Sequence, residues 1–258
     1  MSEWTAVSRS AHADAAYLAR SDYAFAAAQK VVPVLMAELP RLMPHYVLAF
    51  IRDAEVMTPV ALLTLPGAGN LYVNTDGQWL AEYVPAALRG YPFRLLPTTE
   101  GQGEEVFCIE KTHLCSPDEG TALFDASGNL TAKAQETLDF LTQCAANRKA
   151  TLAAAAALAS AGVLAPWPLK VAADENADPV MLEGLWRVDE TALNQLPADA
   201  FAALRDGGAL ALAYTQMLAG QQFRHLKDRA RFHAARTQPA EVDLESLFGD
   251  GDDELSFS

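Results

Sequence analysis

Three neighbouring runs decide the fold class: YVLAFIR at 46–52, PVALLTL at 59–65 and NLYVNT at 70–75. Each is short, apolar and rich in strand-forming Val, Tyr, Phe, Ile or Thr. The links at 53–58 and 66–69 are too short to carry a crossover helix, so the runs predict antiparallel hairpins rather than βαβ units. Asp76-Gly77 is a turn pair that closes the third run.

Upstream, Phe25, Val32, Leu35, Met36 and Leu39 follow a helical spacing from Asp22 onward. Pro33 inside that pattern predicts two short helices or a kink, and Pro40 and Pro44 end it. Residues 1–21 have no clear period and read as an extended N-terminal arm. Downstream, 79–89 reads as a short helix or extended piece broken by Pro85, and 91–96 and 105–110 as strands. A polar loop spans 111–120, and Leu123-Phe124-Asp125 ends in a turn at Ser127-Gly128-Asn129. Thr131 is placed to cap a long helix from Ala132 to about Ser160, with Gly162 as its stop. A last hairpin is expected from 169–172 and 180–188, then a short helix 190–196 capped by Asp189, a turn at 201–204, and a final helix from Ala209 to about Arg236. The order is α, several β, α, two β, α. It predicts an α+β fold: a single domain over 22–238 with a mixed, mainly antiparallel sheet flanked by helices. No internal repeat or linker divides it.

The chain has 258 residues, of which 51 % are apolar and 20 % charged, an ordinary globular composition. Its 33 acidic and 19 basic side chains leave a net charge of −14. That balance speaks against nucleic-acid partners and anionic lipid surfaces, which call for a basic face. The longest apolar run, Leu152–Ala165, is mostly alanine and falls short of the roughly 20 residues needed to span a bilayer. It reads as a helix packed closely on a neighbour, and no membrane insertion is expected. Three cysteines without a CxxC pair form neither a disulfide framework nor a zinc site. The N-terminus lacks the basic start and apolar stretch of a signal peptide, so the expected compartment is the cytoplasm.

Catalytic motifs are missing: the chain has no GxSxG, no Walker-type loop, no GxGxxG after a strand and no HExxH. The reading therefore names no catalytic residue, metal or cofactor, and leaves enzymatic activity open while leaning against it. Gly101-Gln102-Gly103 reads as a turn, Cys108 as a small buried apolar residue, and His225 with His233 as part of a charged helix face. One cluster is denser in unusual side chains than a scaffold needs: Asp76, Trp79, Tyr83, Arg89, Tyr91 and Phe93. Four aromatics and an arginine within 15 residues can form a stacking pocket with a charged handle. The alternative is that Trp79, Tyr83 and Phe93 are core, Asp76 a turn residue and Arg89 half of a structural ion pair.

At these residues the chain resembles the SapC family. The resemblance rests on Asn70-Leu71-Tyr72-Val73, Asp76-Gly77-Gln78-Trp79, Tyr83-Val84-Pro85-Ala86 and Arg89-Gly90-Tyr91-Pro92-Phe93. It continues through Leu123-Phe124-Asp125, Leu182-Glu183-Gly184-Leu185 and Gly208-Ala209-Leu210 to Tyr214 and Leu218, over roughly 22–226. Where the family has Arg-Arg-Tyr-Pro-Phe, this chain lacks the second basic side chain. The resemblance implies association with surface-layer proteins and their type I export machinery, and attaches no defined reaction. The expectation is a non-enzymatic accessory or adaptor protein with a protein partner, its oligomeric state left open. The alternatives are a small-ligand or peptide-binding module or enzyme subunit using Trp79–Phe93, and a structural component of a larger particle.

The C-terminus differs in kind. Residues 224–236 hold five basic side chains against one acid, whereas 241–258 hold seven acids and no Lys or Arg. Leu244, Leu247, Phe248, Leu255 and Phe257 punctuate the acids. The expectation for 239–258 is a disordered acidic tail that docks through Leu247, Phe248, Asp252, Asp253, Leu255 and Phe257, similar in composition to the tails by which single-strand DNA-binding proteins recruit partners. An inert tail, or one folded back on the basic helix until a partner displaces it, are the alternatives.

Overall fold

The computed structural model describes residues 3–98, 104–171 and 179–237. In chain order it begins with β1 (Trp4–Ala6), α1 (Arg9–His12), β2 (Ala16–Tyr17), β3 (Val31–Pro33) and α2 (Leu39–Leu42). The hairpin β4 (Leu48–Asp53) and β5 (Val56–Leu62) follows, then α3 (Ala86–Arg89), β6 (Phe93–Pro97) and β7 (Glu105–Glu110). Two short strands, β8 (Leu114–Cys115) and β9 (Thr121–Ala122), lead into α4 (Ala132–Ser160). After it come β10 (Leu164–Pro166), β11 (Leu169–Val171), β12 (Val180–Leu182) and β13 (Leu185–Val188). The described residues close with α5 (Glu190–Asn194), α6 (Ala198–Arg205), α7 (Ala209–Ala219) and α8 (Phe223–Thr237).

The principal sheet has the order β10-β13-β4-β5-β3. Leu48, Ala49 and Phe50 are all buried, as are Ala61, Val60 and Pro59 opposite them, so the sheet is covered on both faces. That is why these strands read as continuous apolar runs rather than as alternating ones. Three smaller sheets, β1-β7-β6, β8-β2-β9 and β11-β12, complete the architecture. Every strand pair among the described residues is antiparallel. The fold is α+β in one domain.

Helix α4 joins two cores. At 1.5 Å per residue its 29 residues extend about 43 Å. Leu138 and Leu141 near its start pack on a small cluster of Tyr17, Phe93, Phe107, Ile109 and Leu123. Ala154, Ala155 and Leu158 near its end enter the large core beneath the principal sheet. The alanines let the helix lie close to its neighbours, as the alanine-rich run Leu152–Ala165 predicts. The helix starts after Thr131, whose hydroxyl donates to Ala122 O (2.8 Å) instead of capping the first turn. It is followed by Gly162 at φ +70°. Asp189 accepts from Ala192 N and caps α5, as expected.

Several expectations are corrected. Val31–Pro33 is a strand rather than part of a helix, pairing with Leu62, Ala61 and Val60. β-Branched residues favour it, and proline is tolerated because β3 lies at the sheet edge. Residues 70–75 form no strand; a single bridge joins Val73 to Trp79. Asn74 Oδ1 instead accepts from Asp76 N and Gln78 N and folds the chain into a turn. The first residues are not a separate arm, since β1 supplies the second partner that β7 requires, with Trp4 opposite Glu110. Residues 201–204 lie inside α6, and the final helix is two, parted at Gly220. Gly101–Gly103 and the tail residues Leu247, Phe248, Asp252, Asp253, Leu255 and Phe257 lie outside the described residues.

Candidate functional site

The six residues singled out between 76 and 93 do not share one pocket. Asp76 sits on the exposed Asn74–Gln78 turn. Phe93 is 3 % exposed and stacks on Phe107 (4.9 Å between ring centroids) in the smaller core. Tyr91 stacks on Phe25 (3.8 Å, 3°) and donates its hydroxyl to Glu110 Oε2. Burial, with Glu110 beside it, pushes the Tyr91 hydroxyl far up.

Tyr83 and Arg89 do converge, and they converge on Glu38, while Trp79 joins them through Tyr83 O. This carboxylate is 4 % exposed at the start of α2, an unusual place for an acid unless its oxygens are satisfied. Oε1 accepts from Leu35 N (2.9 Å); Oε2 accepts from Ala86 N (2.8 Å) and from the Tyr83 hydroxyl (3.0 Å). Burial raises Glu38 above the usual carboxylate range, while these donors and Arg89 oppose the shift. Arg89 Nη2 donates to the Tyr83 hydroxyl (3.1 Å), and its guanidinium lies 5.3 Å from the Tyr83 ring and 4.9 Å from the Phe140 ring of α4. The Tyr83 hydroxyl is pushed up to about 12 by burial and by Glu38.

Beside this node stand the rings of Tyr46, Tyr72 and Trp79. Tyr46 and Tyr72 stack at 4.6 Å, and Tyr72 and Trp79 at 5.7 Å. The Trp79 indole donates to the Tyr46 hydroxyl (2.9 Å), which itself donates to Tyr83 O. Arg229 of α8 caps the stack, 4.6 Å above the Tyr72 ring. Burial pushes the Tyr46 and Tyr72 hydroxyls well above the usual tyrosine value. Trp79, Tyr83 and Arg89 thus tie the 79–89 segment to α2, α4 and the principal core. Sequence reasoning missed Glu38, although its signal was present: it is the one charged side chain between Leu35 and Leu39. Arg89→Ala is expected to cost about 1 kcal/mol, the worth of an exposed cation over two rings, and to lower Tm by about 3 °C in thermal unfolding. An unchanged Tm would show that the guanidinium braces nothing.

A wide cleft lies elsewhere, between the 65–75 segment and α8. It measures about 840 Å³, with an apolar floor that includes Leu65, Val73 and Val171. Buried Asn70 shapes one wall: Nδ2 donates to Ala26 O (3.0 Å), and Oδ1 accepts from Tyr72 N (2.9 Å). Gly67, at φ +82°, turns the lip in a conformation that L side chains rarely adopt. Opposite, α8 is anchored by Leu226 (0 % exposed), by Arg229, which donates to Leu80 O (3.1 Å), and by His233 Nε2, 3.1 Å from Leu71 O. This helix carries Lys227 and Arg231 to the cleft. Arg231 pairs with Asp228 on the same exposed helix face (3.6 Å), a contact weak enough to yield to an incoming anion. Among the described residues no three His, Cys, Asp or Glu side chains group to hold a metal ion, and no helix is long and apolar enough to cross a membrane.

A family model described as SapC matches residues 7–226. No curated protein and no solved structure matches the chain. The matched span includes the Glu38 node and the 65–75 wall of the cleft; it stops at Leu226, one residue before the basic face of α8 enters the cleft.

Proposed function

The chain belongs to the SapC family, and from that premise we propose that it is a non-enzymatic accessory protein that holds a segment of a protein partner in the cleft beside α8. The setting is the one the family resemblance implies, surface-layer export or a related assembly. The observation that carries the reading is the cleft itself. Its volume of about 840 Å³ lies in the range of ligand sites, its floor is apolar, and Lys227 and Arg231 stand on one side. An extended partner segment that places an apolar side chain on Leu65, Val73 and Val171, with carboxylates towards α8, matches that chemistry. The binding role considered for Trp79–Phe93 moves to this cleft, because Trp79, Tyr83 and Arg89 spend their polar groups on Tyr46, Glu38 and one another.

The test is site-specific photo-crosslinking in the cell that makes the protein. A benzophenone side chain at Ala234, exposed on the cleft rim, is expected to give a discrete protein adduct that K227E/R231E abolishes. The same probe at Val56, 51 % exposed on the β4–β5 hairpin, serves as control. No adduct at 234, or identical adducts at both positions, would overturn the reading.

A further inference from the structure

The cleft's basic wall and the acids that could fill it lie on one continuous stretch of chain, beyond the family match. From 227 to 236 the side chains are Lys227, Arg229, Arg231 and Arg236 against a single Asp228. From 238 to 258 there are seven acids and no Lys or Arg. Helix α8 is described as far as Thr237, and the part of it lining the cleft, Lys227 to Ala234, is about 10 Å long. The 21 residues that follow span about 70 Å when extended, several times the length needed to return along the helix.

We propose that residues 238–258 are themselves a ligand of this cleft, so that the chain carries its own competitor for the partner segment. The proposal rests on the reading of the cleft given above and names what regulates it. Leu247-Phe248, the densest apolar pair after α8, matches the apolar floor, and Asp243 and Glu245 just before it match Lys227 and Arg231. A tether this short holds its end at an effective concentration of about 1 mM. A tail with an intrinsic Kd of about 100 μM would then fill the cleft about nine-tenths of the time and weaken an outside acidic segment about tenfold. A partner would have to outbid the tail, and whatever removes the tail's charge or grips it elsewhere would open the site.

The experiment keeps the full chain and uses a fluorescein-labelled peptide of residues 238–258 as the probe, read by anisotropy. The comparison protein carries a silenced tail, D243N/E245Q/L247S/F248S, outside the described residues. The silenced chain is expected to bind the peptide at least tenfold more tightly than the unaltered chain, because its cleft is vacant. Adding K227E/R231E to the silenced chain should weaken the peptide at least tenfold, with Tm as the folding control. Should that pair shift Tm, raising the salt from 50 to 500 mM replaces it, and a severalfold loss of affinity is expected. Equal peptide affinity for the unaltered and silenced chains, absent binding by both, or binding indifferent to both the charge reversal and salt would overturn the proposal. Failure of the accessory-protein reading looks different: the Ala234 probe would then give no partner adduct with either tail, whatever the peptide does.

Discussion

Replacing Glu38 by glutamine is expected to destabilise the protein by about 3 kcal/mol and to lower Tm by about 10 °C. The carboxylate serves three donors with two oxygens: Leu35 N on Oε1, and Ala86 N with the Tyr83 hydroxyl on Oε2. A glutamine has one carbonyl oxygen. Whichever way its amide turns, the NH₂ faces a buried backbone N–H, leaving at least one donor unsatisfied at about 1–3 kcal/mol. The pH dependence adds a second readout. Burial raises Glu38, so above the ordinary value of 4.5 the folded state binds more protons than the unfolded state. Stability contributed through this group is fully present below 4.5 and is lost as pH rises through the raised value. The gap between unaltered protein and E38Q, measured by urea unfolding, should therefore be wider at pH 4 than at pH 7. A gap that widens with pH would show that the fold prefers the ionised carboxylate and that its donors outweigh its burial.

Tyr46→Ala is expected to cost about 4 kcal/mol, the largest single-residue loss we anticipate. Tyr46 is fully buried, and its ring stacks on Tyr72 at 4.6 Å. Truncation removes the ring's packing and leaves a cavity in a core that α4 and the principal sheet hold in place. Tyr46→Phe separates the terms. It keeps the ring but removes the hydroxyl that accepts from Trp79 Nε1 and donates to Tyr83 O. The indole retains Tyr83 O at 3.2 Å, so this variant should lose only about 1–2 kcal/mol. Urea unfolding of both variants decides the matter; equal losses would mean that the hydroxyl, rather than the packing, is what Tyr46 contributes.

The same residues show why the candidate site was only half legible. Trp79, Tyr83 and Arg89 stand out in the sequence because aromatic and basic side chains crowd there, and they do share a structural task. Glu38, on which Tyr83 and Arg89 converge, precedes Tyr83 by 45 residues and carries no motif of its own. Crowding marks where interactions are dense. It does not say whether they point inward, and here the dense segment faces the core while the cleft opens between a plain loop at 65–75 and a helix read only as a charged face.

What the sequence by itself determined is whatever neighbouring residues settle among themselves. The β4–β5 and β6–β7 strands, the span of α4 from Ala132 to Ser160, the Asp189 cap and the family all follow from patterns a few residues long or from the spacing of short motifs. Tertiary structure decided the rest. Val31 became a strand because Leu62 was there to pair with it, and Trp4 joined the body because β7 had an open edge at Glu110. Gly220 parted the last helix so that α8 could seat Arg229 over Tyr72. Over a few residues an edge strand and an amphipathic helix look alike, and a buried polar atom's partner is chosen by packing across the chain. Those outcomes rest on free energy shared between distant segments, which no local pattern records.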